Sequence, residues 1–383
     1  MNKMAIIADD LSGANDAGSQ ALLSGYSCCS LNYKSKLKIP GGIEIPIINS
    51  SSRMLPKIKA YIRTKSIAGA LFSYELLYKK TDSTLRGNIG AEIDACIDGI
   101  KADRAAFIPA FPALQRRSVY GRVFLGKKVI ENTEFASDAF NPVTSSNLTD
   151  LIKKQSKYKP VLVDIDILRK GTRFVQGFMA RNSYKINARV PIYIFDCLSN
   201  KDLKIAAKCL KDFKVIAGAS GPVGYLLKKK TLNNFYKKET VKPKQAVFIG
   251  SMKRITHEQL ILLNKYISRE SRFIKPVLFA VNTPGKNTVY GKKQAKRIDR
   301  RFAKAALLLT GKNSCGKLIL SGGATAENIC KVMKINITLL IRNILTGIPL
   351  TYSPERNIYI VTKPGGYGDK KALVTIYKAL KEL

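Results

Sequence analysis

The chain has 383 residues, enough for two domains with separate cores, and its 45% hydrophobic content is that of a globular protein. No stretch approaches the ~18 consecutive apolar residues of a membrane span. Asp9 and Asp10 interrupt the apolar N-terminal run, which argues against a signal peptide. We therefore expect a cytoplasmic protein without a membrane partner. One histidine and seven cysteines without C-x-x-C spacing argue against a zinc site.

Basic residues are in large excess: 66 lysines and arginines stand against 27 aspartates and glutamates, a net charge of +39. Such a balance attracts anions. The basic residues recur along the whole chain, and no nucleic-acid-binding motif accompanies them. We interpret the charge as general lysine enrichment and expect no specific nucleic-acid partner. The absence of G-x-G-x-x-G after the first strand argues against an NAD-dependent enzyme.

The first predicted strand, Met4–Ala8, ends in two adjacent carboxylates, Asp9 and Asp10. Side chains at this end of a strand lie in the crevice where open α/β sheets bind ligands. In a kinase, one carboxylate could accept the proton of a reacting hydroxyl or orient that hydroxyl. The alternative is that Asp9 or Asp10 caps the helix predicted from Leu11.

Two further polar clusters follow the strands predicted at 43–48 and 76–78. The first contains Arg53, whose guanidinium could bind a carboxylate through two hydrogen bonds. A solvated arginine is the alternative among so many basic residues. The second, at 79–88 (KKTDSTLRGN), concentrates donors that could enclose a small polyhydroxylated acid.

A lysine-rich, weakly periodic stretch at 228–245 indicates a domain boundary. We place an N-terminal domain at residues 1–235 and a C-terminal domain at residues 236–383. Alternating short strands and helices predict an α/β fold in which both domains have largely parallel sheets. In the second domain, residues 256–259 have the spacing of a capping box that would begin a helix.

Two glycine-rich turns in the C-terminal domain each join a predicted strand to a predicted helix. Ser321-Gly322-Gly323 precedes a helix predicted from Thr325, and the turn at 363–369 (KPGGYGD) follows a strand at 358–361. Free N–H groups at a helix N-terminus, with glycines that permit close approach, can bind an anion. We interpret the two turns as the phosphate site of one nucleotide; ordinary strand-to-helix turns are the alternative.

The chain resembles the four-carbon acid sugar kinases, the family of D-threonate, D-erythronate and 3-oxo-tetronate 4-kinases. Six segments carry the resemblance in order: IADDLSGANDAG, KKTDSTLRGNIGAEIDA, PAFPALQRRSVYG, TEFASDAFNPVTSS, SGGATAENI and KPGGYGD. The resemblance implies an N-terminal domain that binds a sugar acid and a C-terminal domain that binds ATP with Mg²⁺. The active site would lie in the cleft between them, and the γ-phosphoryl group would pass to the terminal hydroxyl of the acid.

Residue by residue, the matching motifs imply three sets of contacts. The catalytic residues would be Asp10, Lys80 and Arg86. The substrate-binding residues would be Asp9, Asp10, Arg53, Lys80, Thr81, Asp82 and Ser83. The residues that bind ATP would be Ser251, Gly322, Gly323, Ala324, Thr325, Ala326, Gly365 and Gly366. The motifs do not identify the ligands of the magnesium ion.

Three positions depart from the family's pattern. Gln115 stands where glycine is usual, and we expect an altered loop conformation there, because glycine can take a positive φ and glutamine only at a cost. Asn147 replaces a histidine, and Ala324 replaces an acidic residue that could hold magnesium. These changes leave open a catalytically degenerate member that binds a small acid or a polyanion. The segment 133–146 is polar and turn-rich and indicates an active-site or interdomain lid. The spacing of motifs does not show which four-carbon acid is the substrate. Nor does it show the oligomeric state, and a homo-oligomer is one possibility.

Overall fold

The computed structural model describes residues 3–33, 38–138, 141–184, 190–231, 236, 239–270, 276–281, 292–311 and 315–383. In these residues the strands are β1 (Met4–Ala8), β2 (Cys28–Asn32), β3 (Ile45–Asn49), β4 (Leu76–Lys80), β5 (Ala105–Ile108), β6 (Arg116–Val119), β7 (Arg122–Leu125), β8 (Lys128–Val129), β9 (Lys159–Val163), β10 (Pro191–Phe195), β11 (Val215–Gly218), β12 (Lys244–Ile249), β13 (Val277–Ala280), β14 (Cys315–Ser321), β15 (Ile337–Leu345), β16 (Ile348–Ser353) and β17 (Ile358–Lys363).

The helices are α1 (Leu11–Leu23), α2 (Lys57–Ala70), α3 (Ile89–Ile100), α4 (Leu148–Gln155), α5 (Ile165–Arg169), α6 (Thr172–Tyr184), α7 (Asn200–Cys209), α8 (Val223–Leu226), α9 (Arg254–Arg269), α10 (Lys292–Gly311), α11 (Gly323–Val332) and α12 (Ala372–Lys381). Among the described residues no helix combines the length and apolarity needed to cross a bilayer. The cytoplasmic location and the homo-oligomer stay predictions.

One sheet runs through both halves of the described chain, in the order β13-β12-β14-β17-β16-β15-β2-β3-β1-β4-β11-β5-β10-β9. Its neighbouring strands are parallel except at β17–β16, β16–β15 and β15–β2. The predicted α/β fold with largely parallel sheets is confirmed. The sequence did not predict that the two halves join edge to edge, where β15 pairs with β2 and Leu339 lies opposite Cys29.

Both faces of the sheet are covered, which is why its central strands are apolar along their whole length. In β1, Ile6 packs into the core on one face and Ile7 into the core on the other, because successive side chains of a strand alternate. β14 shows the same division: Leu320 packs beneath α10 and α11, and Ile319 packs against α9 and α12. The polar loops therefore lie at the carboxyl ends of the parallel strands.

Helix α1 lies between the two halves and is buried along nearly all its length. Its small residues permit this, since a Cβ at Gly18 would overlap the side chains of Leu340 in β15 and Ile47 in β3. The N-terminus of α1 is thereby fixed where the halves meet. The domain division at residues 235 and 236 stays a prediction.

One local prediction was wrong. Helix α9 begins at Arg254, with Lys253 as N-cap and no side-chain cap, so residues 256–259 do not form a capping box. Thr256 is instead buried in the first turn, and its hydroxyl donates a hydrogen bond to the carbonyl of Gly365, at 2.6 Å. A tertiary contact with the second glycine turn thus takes the place of the local cap.

Candidate active site

Asp9 and Asp10 follow the carboxyl end of β1, and both accept hydrogen bonds from one arginine, Arg53. Arg53 Nε and Nη2 donate to Asp9 at 2.7 and 2.8 Å, and Nη1 and Nη2 donate to Asp10 at 2.7 and 2.8 Å. Burial would raise the pKa of Asp9, but the charge and hydrogen bonds of Arg53, together with the charges of Lys79 and Lys80, outweigh burial and hold that pKa below its ordinary value. The Arg53 side chain is only 13% exposed, so the solvated-arginine alternative is wrong.

Asp10 also caps α1. Its Oδ1 accepts a hydrogen bond from the Gly13 amide at 2.8 Å, which confirms the capping alternative for this residue. The other oxygen, Oδ2, faces the C-terminal half, where a Cβ at Gly323 would lie 3.1 Å away. Asp10 can therefore cap α1 through Oδ1 while its Oδ2 lies beside the glycine turn at Gly323.

The loop after β4 brings a lysine to the same place. Lys80 is buried, and its Nζ donates to the carbonyl of Thr81 at 2.8 Å. It lies 3.2 Å from the position that a Cβ on Gly13 would take, beside the N-terminus of α1. Lys79 points to the opposite face of the sheet and pairs with Glu92 at 2.9 Å. Strand alternation thus selects Lys80, not Lys79, for the site.

Asp82 and Arg86 form a second ion pair in this loop, with Arg86 Nε 2.7 Å from Asp82 Oδ2. Burial would raise the pKa of Asp82, but Arg86 and Arg53 outweigh it and hold that pKa far below its ordinary value. The hydroxyl of Thr84 also donates to Asp82. Ser83 is buried beside this pair.

The segment 133–146, apart from residues 139–140, which lie outside the described residues, contacts both halves of the molecule. Asp138 accepts from Arg86 at 2.9 Å, and the Arg86 guanidinium carbon lies 5.1 Å from the Phe135 ring centroid. Lys253, from the start of α9, places its Nζ 4.2 Å from the same centroid and 3.6 Å from Glu134. This position supports the lid interpretation.

Three turns of the C-terminal half, after β12, β14 and β17, pack into one another. A Cβ at Gly322 would lie 3.1 Å from the Ser251 amide nitrogen, and a Cβ at Gly365 would overlap the Ser251 hydroxyl. Gly322 has φ +111°, a conformation that favours glycine. The structure therefore brings together Ser251 and the two glycine turns, as the sequence predicts, and glycine is required for the close approach.

Helix α11 begins at Gly323, two residues before the predicted start, and its N-cap, Gly322, offers no side chain to the first-turn N–H groups. Ala324 is exposed at this end. The Thr325 hydroxyl donates to Asp299 of α10 at 2.6 Å, and Ala326 packs into the core. At those two positions only the backbone is placed to meet a ligand.

Family models match both halves of the chain. A model described as a sugar-binding N-terminal domain matches residues 4–226, more than half of the chain, and a nucleotide-binding C-terminal domain matches residues 274–373. The chain belongs to the four-carbon acid sugar kinase family. The first match contains the clusters around Asp9 and Lys80, and the second contains both glycine turns.

Curated relatives of this family carry several substrate names. The 3-oxo-tetronate kinase of Haemophilus influenzae is 26% identical over 409 residues, which cover 95% of this chain and 97% of that one. The D-erythronate kinase of Heliobacterium modesticaldum is 29% identical over 273 residues, 68% of this chain and 60% of that one. A crystal structure from Salmonella typhimurium LT2 has the same fold, with a TM-score of 0.84 at 19% identity over 99% of this chain and 100% of that one.

The structure gives a local role to one of the three departures from the family pattern, Asn147. Gln115 adopts φ 60° and ψ 21°, a left-handed conformation that costs a glutamine more than a glycine, and the altered loop conformation stays a prediction. Asn147 caps α4 by accepting from the Asp150 amide at 3.0 Å. Neither residue contacts Asp10 or Lys80 in this arrangement. The third, Ala324, places a methyl group where many family members have a carboxylate.

A carboxylate is nevertheless present one turn further along α11. Burial raises the pKa of Glu327, which hydrogen-bonds Ser51 of the N-terminal half and lies within electrostatic range of Asp10, Arg53 and Asp9. No cluster of three or more metal-ligating side chains occurs in the part of the chain that the structure describes. Mg²⁺ in kinases commonly uses one or two carboxylates together with phosphates and water. Asp10 and Glu327 fit that smaller requirement.

Three residues of the seam were missed by sequence reasoning, although the quoted motifs contain them. Asp16 accepts from the hydroxyls of Tyr367, at 2.9 Å, and Ser220, and its Oδ1 is buried without a hydrogen-bond partner. Lys363 is fully buried, and its Nζ donates to the carbonyls of Pro364 and Gly365 at 3.1 and 3.4 Å. Burial lowers the pKa of Lys363 to about 7. Lys363 and Tyr367 flank the glycines of KPGGYGD, the motif that could have identified them.

A cavity of about 580 Å³ lies elsewhere, at the amino ends of β5, β10 and β11. Its lining includes Arg104, Tyr193 and Phe213. Ligands of open α/β sheets bind at the carboxyl ends of the strands. The seam around Asp10 and Gly323, rather than this cavity, is therefore the candidate active site.

Proposed function

We propose that the chain is an ATP- and Mg²⁺-dependent kinase that phosphorylates the terminal, 4-hydroxyl group of threonate, erythronate or 3-oxo-tetronate. The observation that carries the proposal is the approach of Asp10 to Gly323, where the sugar half meets the first glycine turn of the nucleotide half. A hydroxyl held by Asp10 would lie beside phosphates held at the N-terminus of α11. Family relatives with four-carbon acid substrates support the substrate class.

The glycine turns fit a nucleotide phosphate chain. Gly322 leaves the first-turn amides of α11 without a protein cap, and the positive end of the helix dipole points toward the seam. Ser251 and Gly365 pack against this turn and would contact the same phosphates. Mg²⁺ would be held by phosphate oxygens with Asp10 or Glu327, and it would neutralise phosphate charge during transfer.

The reaction requires a proton acceptor and a nearby positive charge. The bond between the γ-phosphorus and the β,γ-bridging oxygen breaks, a bond to the substrate hydroxyl oxygen forms, and ADP leaves with the electron pair. Asp10 accepts or orients the hydroxyl proton. Lys80 suits the positive charge better than Arg86, because Arg86 is paired with Asp82 and Asp138. In the described residues Lys80 has no carboxylate within salt-bridge distance, and its Nζ lies beside Asp10.

Arg53 is better suited to positioning than to direct capture of the substrate carboxylate. It already donates four hydrogen bonds to Asp9 and Asp10. The substrate carboxylate and hydroxyls would instead meet the loop of residues 80–83, where the buried Thr81 hydroxyl has no hydrogen-bond partner in the described part of the chain. Arg53 would then orient Asp10 through its two hydrogen bonds to that carboxylate.

The catalytically degenerate alternative now rests on Ala324. Asn147 caps α4 and Gln115 occupies a strained turn, whereas the position of Ala324 bears on metal binding. Glu327 supplies a carboxylate on the same helix, which favours the kinase.

The test is ADP release by purified protein with Mg²⁺-ATP and, in turn, D-threonate, L-threonate, D-erythronate, L-erythronate and 3-oxo-tetronate. We expect one acid to support turnover, Asp10→Asn to abolish it, and the exposed-residue control Asp212→Asn to retain it. ATP binding without turnover of any acid would contradict the kinase and favour the binding protein. Full turnover by Asp10→Asn would remove Asp10 from the chemistry.

A further inference from the structure

Arg116, at the start of β6, is a buried cation that forms no direct ion pair within the described residues. Its charge acts on Asp16 only from beyond salt-bridge distance, and burial raises the pKa of that carboxyl. The residue is 6% exposed, and in the described part of the chain no carboxylate lies within salt-bridge distance of it. Its Nη1 donates to the carbonyl of Leu114, while its Nε is buried without a hydrogen-bond partner. An arginine stays charged in proteins, and burying such a charge without a counter-ion is costly. The arrangement therefore suits a residue whose anionic partner is a ligand.

The guanidinium crosses from the sugar half to the second glycine turn of the nucleotide half. Its central carbon lies 5.1 Å from the centroid of the Tyr367 ring. Its Nη2 lies 3.8 Å from the position that a Cβ on Gly366 would take, and apart from the adjoining residues no other heavy atom of the described chain comes within 4 Å of that position. Tyr367 donates in turn to Asp16 at 2.9 Å, so the ring beneath Arg116 is fixed.

The unoccupied edge of this guanidinium has the shape that binds phosphate. Because Nη1 is engaged by Leu114, the Nε–H and one Nη2–H remain as two roughly parallel donors. Such a fork matches two oxygens of one phosphoryl group. Lysine, with a single point charge, could not reproduce both contacts.

We propose that Arg116 binds the terminal phosphoryl group of the nucleotide across the seam and stabilises its charge during transfer. The proposal rests on the proposed function, since it needs a nucleotide at the turn of Gly365 and Gly366. Arg116 would be a catalytic residue contributed by the sugar half, in addition to Asp10 and Lys80. It would contact the γ-phosphoryl group of ATP and have no partner in the ADP complex.

The test compares Arg116→Met and Arg116→Lys with Arg117→Met, a control at the exposed neighbouring arginine. Calorimetry would measure the affinities of each protein for ADP and for a non-hydrolysable ATP analogue. We expect both Arg116 variants to lose about tenfold or more in affinity for the analogue while ADP binding is retained. Their turnover with the acid substrate should fall roughly a hundredfold to a thousandfold, and added guanidinium ion should restore part of the turnover of Arg116→Met.

The outcomes separate this proposal from the proposed function. Equal losses for ADP and the analogue, with a lower melting temperature, would mean that Arg116 only supports Tyr367, and they would overturn the proposal. Wild-type turnover that survives in both Arg116 variants would also overturn it while leaving the kinase intact. Failure of the wild-type protein to bind either nucleotide would contradict the proposed function itself.

Discussion

Gly323 lies directly above the carboxylate of Asp10, so that a Cβ on the glycine would come within 3.1 Å of Oδ2 and 3.4 Å of the Ser12 hydroxyl. The two residues are more than 300 positions apart and come from different halves of the molecule. Contacts this close are tighter than ordinary van der Waals packing. Asp10 and the N-terminus of α11 can therefore approach this closely only because Gly323 has no side chain.

Gly323→Ala should impair turnover more than folding. The added methyl group would displace Asp10 or the first turn of α11 by a few tenths of an ångström, and catalysis is sensitive to such displacements. We expect kcat to fall by about tenfold or more with a melting temperature close to that of wild type. Gly41→Ala is the matched control, because a Cβ there has no neighbour within 4 Å among the residues that the structure describes. Equal activity of the two variants would show that the contact is not critical.

Arg53→Met should destabilise the protein, since it leaves Asp9 and Asp10 buried without their cation. Removing one partner of a buried ion pair typically costs about 3–5 kcal/mol. The pKa of Asp9, now below its ordinary value, should rise in the variant. The deficit measured by urea unfolding should therefore be larger at pH 7 than at pH 5, where the Asp9 carboxylate, freed of its arginine, takes up protons.

The control for Arg53→Met is the double variant Asp9→Asn with Arg53→Met. Removing one carboxylate together with the arginine should recover part of the lost stability, because less buried charge remains unpaired. No recovery would indicate that the loss comes from packing of the arginine side chain rather than from charge.

Lys363→Met should change how stability depends on pH. The pKa of Lys363 is lowered to about 7 in the folded protein and returns to its ordinary value on unfolding. Between these two values the unfolded chain binds the extra proton, so this lysine makes the wild-type protein more stable as pH rises. The variant lacks that contribution. As pH rises between these two values, its stability relative to wild type should decline by up to about 1.4 kcal/mol per pH unit.

Urea unfolding of wild type and Lys363→Met at pH 7, 8 and 9 measures this slope. Lys371→Met, at an exposed lysine nearby, serves as the control and should follow wild type at every pH. Parallel curves for wild type and Lys363→Met would mean that the buried amine keeps its proton throughout.

Gln115→Gly should stabilise the protein. Gln115 has φ 60°, and a side chain in the left-handed region costs roughly 1–2 kcal/mol, part of which the greater freedom of glycine in the unfolded chain offsets. We expect a net gain of about 0.5–1 kcal/mol in thermal or urea unfolding. Gln115→Ala keeps the backbone strain and should show no comparable gain. If both substitutions stabilise equally, the glutamine side chain, not the backbone, is responsible.

Sequence reasoning succeeded where the signal is local. Strand ends, polar loops and glycine turns follow from short patterns, and the sequence therefore places Asp10, Lys80 and Gly322 at carboxyl ends of strands. A parallel arrangement of those strands then directs them to one edge of the sheet.

The remainder depends on contacts between residues far apart in the chain. Nothing near Arg53 in the sequence shows that both Asp9 and Asp10 engage its guanidinium. Arg116 is separated by some 250 residues from the glycine turn it approaches, and basic residues surround it in the sequence. The capping box predicted at residues 256–259 failed for the same reason: the Thr256 hydroxyl donates to the distant carbonyl of Gly365 and does not cap its own helix.

The pairing of β15 with β2 has a consequence for any attempt to separate the halves. Each strand would become an exposed edge if the other were removed, with open backbone N–H and C=O groups along an apolar ribbon. A fragment ending before β12 should accordingly self-associate or aggregate rather than behave as a small stable binding module. Co-expressed fragments, in contrast, could find each other through these edges and rebuild the sheet from two chains.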